Sequence, residues 1–282
     1  MIVVDTRQVA LPDGGRLVRH LVPPDPGGPT SGLTVVWHHG SPQTGSPLEP
    51  VVQAARAGGI RLVSYGRPSY GGSTPRPGRD VASAASDVRH IADILGLERF
   101  AVMGASGGGP HALACAALLP GRIIGVVTLA GLCPPQALRD WTAGMVAPGG
   151  LVAAAQGRSA RSAFAETDEF DEASFVTADY AALAGPWAEL GRDVGQADQD
   201  GPDGLIDDDV AFAAPWGFDL GDVRAPVLVV QGERDRVVPA SHARALVDGC
   251  PDAQLWLRPA DGHISVLAAV PVALDWLLDL PR

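Results

Sequence analysis

The chain of 282 residues contains no lysine, no asparagine and only three cysteines. Without lysine it has no Schiff-base nucleophile and no phosphate loop of the G-x-x-x-x-G-K-[ST] type, and without asparagine no site for N-glycosylation. Cys115, Cys133 and Cys250 are too few and too scattered for a disulfide framework or a metal site, and they suggest a reducing compartment. Neither H-E-x-x-H nor C-x-x-C occurs, which disfavours metal-assisted hydrolysis, and no cofactor is expected. No apolar run approaches the ~20 residues that a membrane span needs. Met1–Arg7 lacks a basic region followed by an apolar core, so no export signal is visible and a cytoplasmic location is expected. Abundant Ala, Gly, Arg and Pro beside these absences read as coding bias rather than function.

What is present is an alternation of strand-like and helix-like runs, the pattern of a mostly parallel sheet flanked by helices. An antiparallel start (Ile2–Ala10, Arg16–Val22) leads to strands at Leu33–His38, Ile60–Tyr65, Phe100–Gly104 and Ile123–Leu129, with helices at Pro47–Ala57, Val81–Leu95 and Gly109–Leu118. The pattern resumes with strands at Pro226–Gln231 and Ala253–Arg258 and helices at Ser241–Asp248 and Ile264–Leu280. These assign residues 1–133 and 215–282 to one α/β core domain, long enough to bury a full core. Residues 134–214 break the rhythm and read as a mainly helical insertion, with Trp141, Phe164 and Trp187 for packing. It holds 15 acidic residues against 4 arginines, while the remainder is balanced at 17 of each, so the whole net charge of −11 sits there. Such a segment repels nucleic acid, phosphorylated ligands and anionic membranes and tolerates neutral or cationic small molecules. The plainer reading of the charge is a solvated helix face.

The most telling motif is Gly104-Ala105-Ser106-Gly107-Gly108, where the strand pattern stops and an alanine-rich helix begins. A serine at a sharp strand-to-helix turn sits in a strained backbone conformation, and side chains two positions before and after it would collide. Gly104 and Gly108 remove both. The same letters admit a dinucleotide fingerprint, Gly107-x-Gly109-x-x-Ala112. That site wants an acidic residue about 20 positions on, at the end of the next strand. Here that strand ends in Ala130-Gly131-Leu132-Cys133-Pro134, with no carboxylate, and Pro110 is an awkward guest in the helix turn.

The serine reading needs an orienting acid and a base downstream, in that order. Asp235 falls in the loop past the strand Pro226–Gln231, in Gly232-Glu233-Arg234-Asp235-Arg236-Val237-Val238-Pro239, and His263 follows the strand Ala253–Arg258 in Asp261-Gly262-His263. Asp261 is too near in sequence to turn toward His263, so Asp235 is the better acid. With these motifs the sequence resembles the α/β-hydrolase superfamily from about Leu33 to the C-terminus. The resemblance implies an α/β-hydrolase fold, a Ser106, Asp235, His263 triad, and a helical cap over the active site. It also identifies His39-Gly40-Ser41-Pro42 with the superfamily's oxyanion turn, so that the backbone N–H groups of Ser41 and Gly107 would be the two donors. His38 and His39 then brace that turn, His111 packs or lines the pocket, and His20, His90 and His242 read as surface residues. Gly66-Arg67-Pro68-Ser69-Tyr70-Gly71-Gly72-Ser73 resembles the family's D-R-x-G-x-G-x-S loop with glycine in place of aspartate, and only a shaping role is assigned to it.

Serine at position 106 excludes dehalogenase and epoxide-hydrolase chemistry, which need aspartate there. It leaves esters, lactones, thioesters and amides open, and small neutral carboxylic esters are the first expectation. A prolyl-type aminopeptidase is an alternative, with Glu166, Asp168, Glu169, Asp171, Glu172 and Glu189 as candidates to hold the substrate ammonium. A triad-bearing binding protein with slow turnover is another, and cofactorless perhydrolases and hydroxynitrile lyases share the same triad.

Overall fold

The computed structural model describes residues 4–281. The start of the first expected strand, Ile2 and Val3, and the first three residues of the stretch Met1–Arg7 read for an export signal therefore lie outside the described residues. Eight strands form one sheet: β1 (Asp5–Ala10), β2 (Arg16–Val22), β3 (Thr34–His38), β4 (Arg61–Tyr65), β5 (Phe100–Ala105), β6 (Ile123–Leu129), β7 (Val227–Gly232) and β8 (Ala253–Arg258). Their order is β1-β2-β4-β3-β5-β6-β7-β8. β1 pairs antiparallel with β2 and β2 with β4, and every later pairing is parallel.

The central strands are apolar along their whole length because helices cover both faces. Successive residues alternate between two cores: Val36, Val63, Val102 and Val229 face one, and Val35, Trp37, Met103 and Val230 the other. The first is closed by α2 (Ser83–Ile94), α3 (Gly108–Leu118) and α9 (Ala240–Gly249), through Val88, Leu113 and Leu246. The second is closed by α1 (Glu49–Ala57) and α10 (Val270–Asp279), through Val52, Leu274 and Leu277. The single helix expected over Ile264–Leu280 is two elements, a 3-10 turn at Ser265–Ala269 and then α10. Pro271 falls in the first turn of α10, where its missing N–H costs nothing but where it cannot continue an earlier helix. Pro110, which the sequence marks as awkward, likewise sits in the first turn of α3.

Between β6 and β7 the chain makes a helical excursion: α4 (Gly149–Ala154), α5 (Arg158–Ala165), α6 (Thr177–Leu183), α7 (Ala188–Gln199) and α8 (Asp203–Ala213), with 3-10 turns at Pro135–Ala137, Glu172–Ser174 and Leu220–Asp222. No helix among the described residues is long and apolar enough to cross a membrane. The parallel register sets His38 beside Gly104 and Ala105 beside Leu129, so the carboxyl ends of β3, β5 and β6 share one edge. In open α/β sheets that edge is where ligands bind.

At the end of β5 there is no room for side chains. A Cβ on Gly104 would overlap the carbonyl of Gly108, and one on Gly108 would overlap the carbonyl of His38. Gly104→Ala is expected to cost about 1–3 kcal/mol through overpacking against backbone that cannot rotate away. Urea unfolding checks this, and a midpoint equal to wild type would show that the turn yields.

Candidate functional site

Ser106 is one of three non-glycine described residues with positive φ, at 50°. The left-handed conformation costs an L residue on the order of 1–2 kcal/mol and persists only where the surroundings fix it. Here its N–H is held by the Leu129 carbonyl at 2.8 Å, and its own carbonyl accepts the Gly109 N–H at 2.9 Å. Both bonds tie the turn to β6 and to α3, leaving Oγ at the sheet edge.

Asp235 lies in the loop after β7. One carboxylate oxygen accepts the N–H groups of Val237 and Val238, each at 2.9 Å, and the other accepts from Gln231 Nε2 at 3.0 Å and from His263 Nδ1 at 2.8 Å. Gln231, fully buried at the end of β7, also donates to the Val238 carbonyl at 2.9 Å and so closes the loop. A carboxylate only accepts, so the imidazole proton lies on Nδ1 and Nε2 faces Ser106 Oγ, 3.0 Å away, as an acceptor. Burial alone would lower the His263 pKa, but the charge and hydrogen bond of Asp235, with the charge of Asp179, outweigh it and hold it above the usual histidine value. Asp261, the acid closer in sequence, is engaged by Arg258 instead.

The turn His39–Pro42 lies over Ser106. The Ser41-Pro42 peptide is cis. Ser41 abuts Gly107 so closely that a Cβ on Gly107 would overlap Ser41 Oγ. Among the described residues, neither the Ser41 nor the Gly107 N–H donates to an acceptor. Two unspent donors thus stand beside the serine hydroxyl.

What fixes this turn is a buried charge cluster that sequence reasoning missed. Arg67 donates to the carbonyls of His39 (2.5 Å) and Gly40 (3.1 Å) and to Ser41 Oγ (2.9 Å), and its Nη2 pairs with Asp208 of α8 at 2.7 Å. Arg79 pairs with the same carboxylate at 2.7 Å, Tyr70 donates to it at 3.0 Å, and Ser41 Oγ donates to it at 2.5 Å. Burial raises the Asp208 pKa, but Arg67 and Arg79 more than offset this and hold the carboxyl well below its ordinary range. Position 66 is glycine because a Cβ there would press on the carbonyls of Tyr70 at 2.6 Å and Thr44 at 2.8 Å. The Arg67 loop therefore does more than shape the site. Its D-R-x-G-x-G-x-S-like motif was legible; its partner Asp208, far away in sequence, was not.

The histidines separate clearly. His39 braces the turn as expected, with Nδ1 2.6 Å from the Gly40 carbonyl and Nε2 accepting the Arg67 N–H at 3.1 Å. His111 is buried, with Nδ1 2.7 Å from the Gly107 carbonyl. His20 and His242 are not surface residues. His242 accepts the Cys133 N–H at 3.2 Å and bonds the Trp141 carbonyl at 2.9 Å, and burial lowers its pKa to about 4. His20 is buried where β2 meets Thr6 of β1, 2.9 Å from its hydroxyl.

Ser106, His263 and Ser41 open on a cavity of about 670 Å³ between the sheet edge and the helical excursion. Its floor is apolar, with Trp37, Leu129 and Ile264, and Met145 and Leu190 line it from the excursion, while Asp168, Glu169, Asp171, Asp198 and Asp209 lie along its wall with Arg161. Arg161 pairs with Asp209 at 2.7 Å and lies 3.7 Å from Asp168. Burial pushes Asp209 up to about 6 against the pull of Arg161. Of the other acidic candidates for an ammonium, Glu189 accepts the Glu49 N–H at 2.6 Å, and neither it, Glu166 nor Glu172 lines the cavity.

A mostly parallel eight-stranded sheet in the order β1-β2-β4-β3-β5-β6-β7-β8, with a sharp strand-to-helix turn after β5, is the architecture of the α/β hydrolases. The chain belongs to that family: the profile of the alpha/beta hydrolase fold matches residues 34–269. It is 28% identical over 241 residues to a non-heme chloroperoxidase of Streptomyces lividans, covering 77% of this chain and 79% of that protein. It superposes on an enol-lactonase from Burkholderia xenovorans with a TM-score of 0.74 at 20% identity, covering 97% and 100% of the two chains. It also superposes on an esterase from Exiguobacterium antarcticum with a TM-score of 0.70 at 17% identity, covering 97% and 99%.

Removing one partner of a buried ion pair strands the other charge, so Asp208→Ala is expected to cost about 3–5 kcal/mol. The Asp208 pKa is depressed in the folded state, so its contribution is fully present above the ordinary carboxylate range and is lost progressively as the pH falls from that range toward the lower folded value. Denaturant titrations at several pH values check both: the variant is expected to be less stable at neutral pH and to lose less on acidification. Equal stability at neutral pH would refute the role given to this carboxylate.

Proposed function

We propose that the chain is a serine hydrolase that cleaves small neutral carboxylic esters through an acyl-enzyme on Ser106. The observation that carries this reading is the unbroken hydrogen-bonded run Asp235–His263–Ser106, ending at the floor of an apolar cavity. His263 Nε2 takes the hydroxyl proton as Ser106 Oγ bonds to the ester carbonyl carbon, and the carbonyl oxygen becomes an oxyanion. The free N–H groups of Ser41 and Gly107 are placed to receive it, and each such donor is worth roughly 10²–10³ in turnover. Collapse of the tetrahedral species breaks the bond to the alkoxy oxygen, which leaves with the proton from His263. Water then gives a proton to the same nitrogen and attacks the acyl carbon, and as the bond to Ser106 Oγ breaks His263 returns that proton to Oγ, releasing the acid and free Ser106.

Asp235 holds the imidazole in the Nδ1–H tautomer and supports the imidazolium formed in each step. Residues 134–214 act as the cap. Their carboxylates along the cavity wall favour neutral or cationic small molecules over anionic ones. The same wall supports a second reading, an aminopeptidase of prolyl type in which Asp168, Glu169 or Asp171 holds a substrate ammonium; the apolar floor and the relatives named above favour the ester. Three free buried cysteines support a reducing, cytoplasmic location.

Short p-nitrophenyl esters test the nucleophile: Ser106→Ala is expected to lower kcat by up to about 10⁶, and hydrolysis at the wild-type rate would overturn the assignment. Aminoacyl-naphthylamides test the leaving group, and a prolyl amide cleaved faster than the esters would make the aminopeptidase the correct reading. His263 must be neutral to act as base, so kcat/KM is expected to rise with pH through an apparent pKa above the ordinary histidine value of about 6.5. In Asp235→Asn, kcat is expected to fall by about 10⁴, as the wrong tautomer is then favoured. The acid limb of the profile should move to lower pH in that variant, and an unmoved limb would count against Asp235 as the partner.

A further inference from the structure

We propose that Asp179, on the cap helix α6, is a positioning residue for the general base, so that the loop bearing His263 takes its working geometry only with the cap seated on it. The proposal rests on the serine-hydrolase reading above. It starts from an unusual convergence on one carboxylate. Asp179 Oδ1 accepts the N–H of Ile264 at 2.9 Å, the N–H of Ser265 at 2.8 Å and the hydroxyl of Ser265 at 2.7 Å. Asp179 Oδ2 accepts the N–H of His263 itself at 3.2 Å and that of Val176, at the start of its own helix, at 3.1 Å. Asp179 is fully buried.

Three of these donors, the N–H groups of His263, Ile264 and Ser265, lie at the start of the 3-10 turn Ser265–Ala269, and among the described residues no core carbonyl accepts them. A carboxylate at a helical N-terminus also meets the favourable end of the turn's dipole. The core is shaped to admit it. Gly262, between Asp261 and His263, has no room for a side chain, because a Cβ there would overlap the Asp179 carboxylate and press on Val176 Cγ2. The glycine of the D-G-H motif is thus the port through which a cap residue reaches the base. Ser265 completes the fit: its hydroxyl oxygen accepts the Gly262 N–H at 2.8 Å while its proton goes to Asp179.

The ionisable groups that act on His263 are Asp235, from the loop after β7, and Asp179, from α6; Ser106 is its remaining polar neighbour. Both carboxylates favour the imidazolium. Burial pushes the Asp179 carboxyl up, but the donors of Ser265, Val176 and Ile264 pull it below its ordinary range, so it is ionised at neutral pH. Loss of its charge makes imidazolium less stable, and the base form of His263 then persists to lower pH.

The test uses the whole protein and p-nitrophenyl acetate. Asp179→Asn keeps the shape and removes the charge, and Ser265→Ala removes, from the core side, the hydroxyl that donates to Asp179 and accepts the Gly262 N–H, leaving the cap sequence unchanged. With folding verified by thermal melts, Asp179→Asn is expected to lower kcat by about 10-fold to 10²-fold while KM stays within about twofold, since misplacing a catalytic group acts on the chemical step. The acid limb of its kcat/KM profile is expected at lower pH than in wild type. Ser265→Ala is expected to lower kcat by a smaller factor, again with KM held. Wild-type kcat and an unmoved acid limb in both variants, or a raised KM with kcat unchanged, would overturn the proposal. Ser106→Ala measured alongside separates the levels: an inactive serine variant beside unaffected Asp179 and Ser265 variants refutes the positioning role alone, whereas an active serine variant refutes the hydrolase reading beneath it.

Discussion

The site depends on how closely three stretches of backbone approach one another at the carboxyl ends of β3 and β5. Gly104 meets the Gly108 carbonyl, Gly108 meets the carbonyl of His38, and Gly107 meets Ser41, each at a distance that excludes a Cβ. The first two contacts are with backbone carbonyls and leave no rotamer to adjust, and the third is with the Ser41 side chain, whose hydroxyl Arg67 and Asp208 hold in place. They force Ser106 into positive φ and press the turn His39–Pro42 against it. Positions of the hydroxyl and of the two free N–H groups are therefore set together, by the same packing. The requirement for glycine is consequently stronger here than any side-chain preference nearby.

That constraint explains what could be read from the letters. Strand ends are marked by apolar runs meeting Gly and Pro, and Ser106, Asp235 and His263 each fall just beyond such an end. The parallel order of the sheet then brings together residues that lie 28 and 157 positions apart, at hydrogen-bonding distance. The boundaries of the elements were legible to within a few residues, and the exception, the division before α10, has a local cause in Pro271. His242 and His20 were misjudged for a different reason. Amphipathic position says which face a residue occupies, and both lie on faces that other segments cover: His242 beneath Trp141, and His20 between strands.

Least legible was the role of charge. Acidic residues in the helical excursion read as a single property, a repelling or solvated face. In the structure they divide. Asp168, Glu169 and Asp171 do reach the cavity, whereas Asp179, Asp207 and Asp208 are buried and paired. A pattern of hydropathy cannot make this division, because the partners of the buried carboxylates sit at positions far away in sequence and become neighbours only through the fold. Arg67 and Arg79 also illustrate this: each belongs to the balanced remainder of the chain, yet both are satisfied by the excess in the excursion.

The buried carboxylates make the helical excursion part of the core rather than a cover laid over it. Asp208 of α8 neutralises two core arginines, Asp193 of α7 accepts from Gln43 and Thr44 in the turn beyond Pro42, and Asp179 of α6 takes the donors of the His263 loop. Each tie reaches one of the segments that carry Ser41 or His263. Lifting the excursion as a rigid body would leave Arg67 and Arg79 buried without a counter-ion, at a cost of several kcal/mol per stranded charge. Hydrating them on opening reduces that cost, but the carbonyls of His39 and Gly40 still bind Arg67 to the core side. Its guanidinium would then keep the turn while losing the carboxylate that balances it. The integrity of the turn over Ser106 and the seating of α8 are in this sense one equilibrium, carried by one carboxylate on α8 and two arginines on the core side.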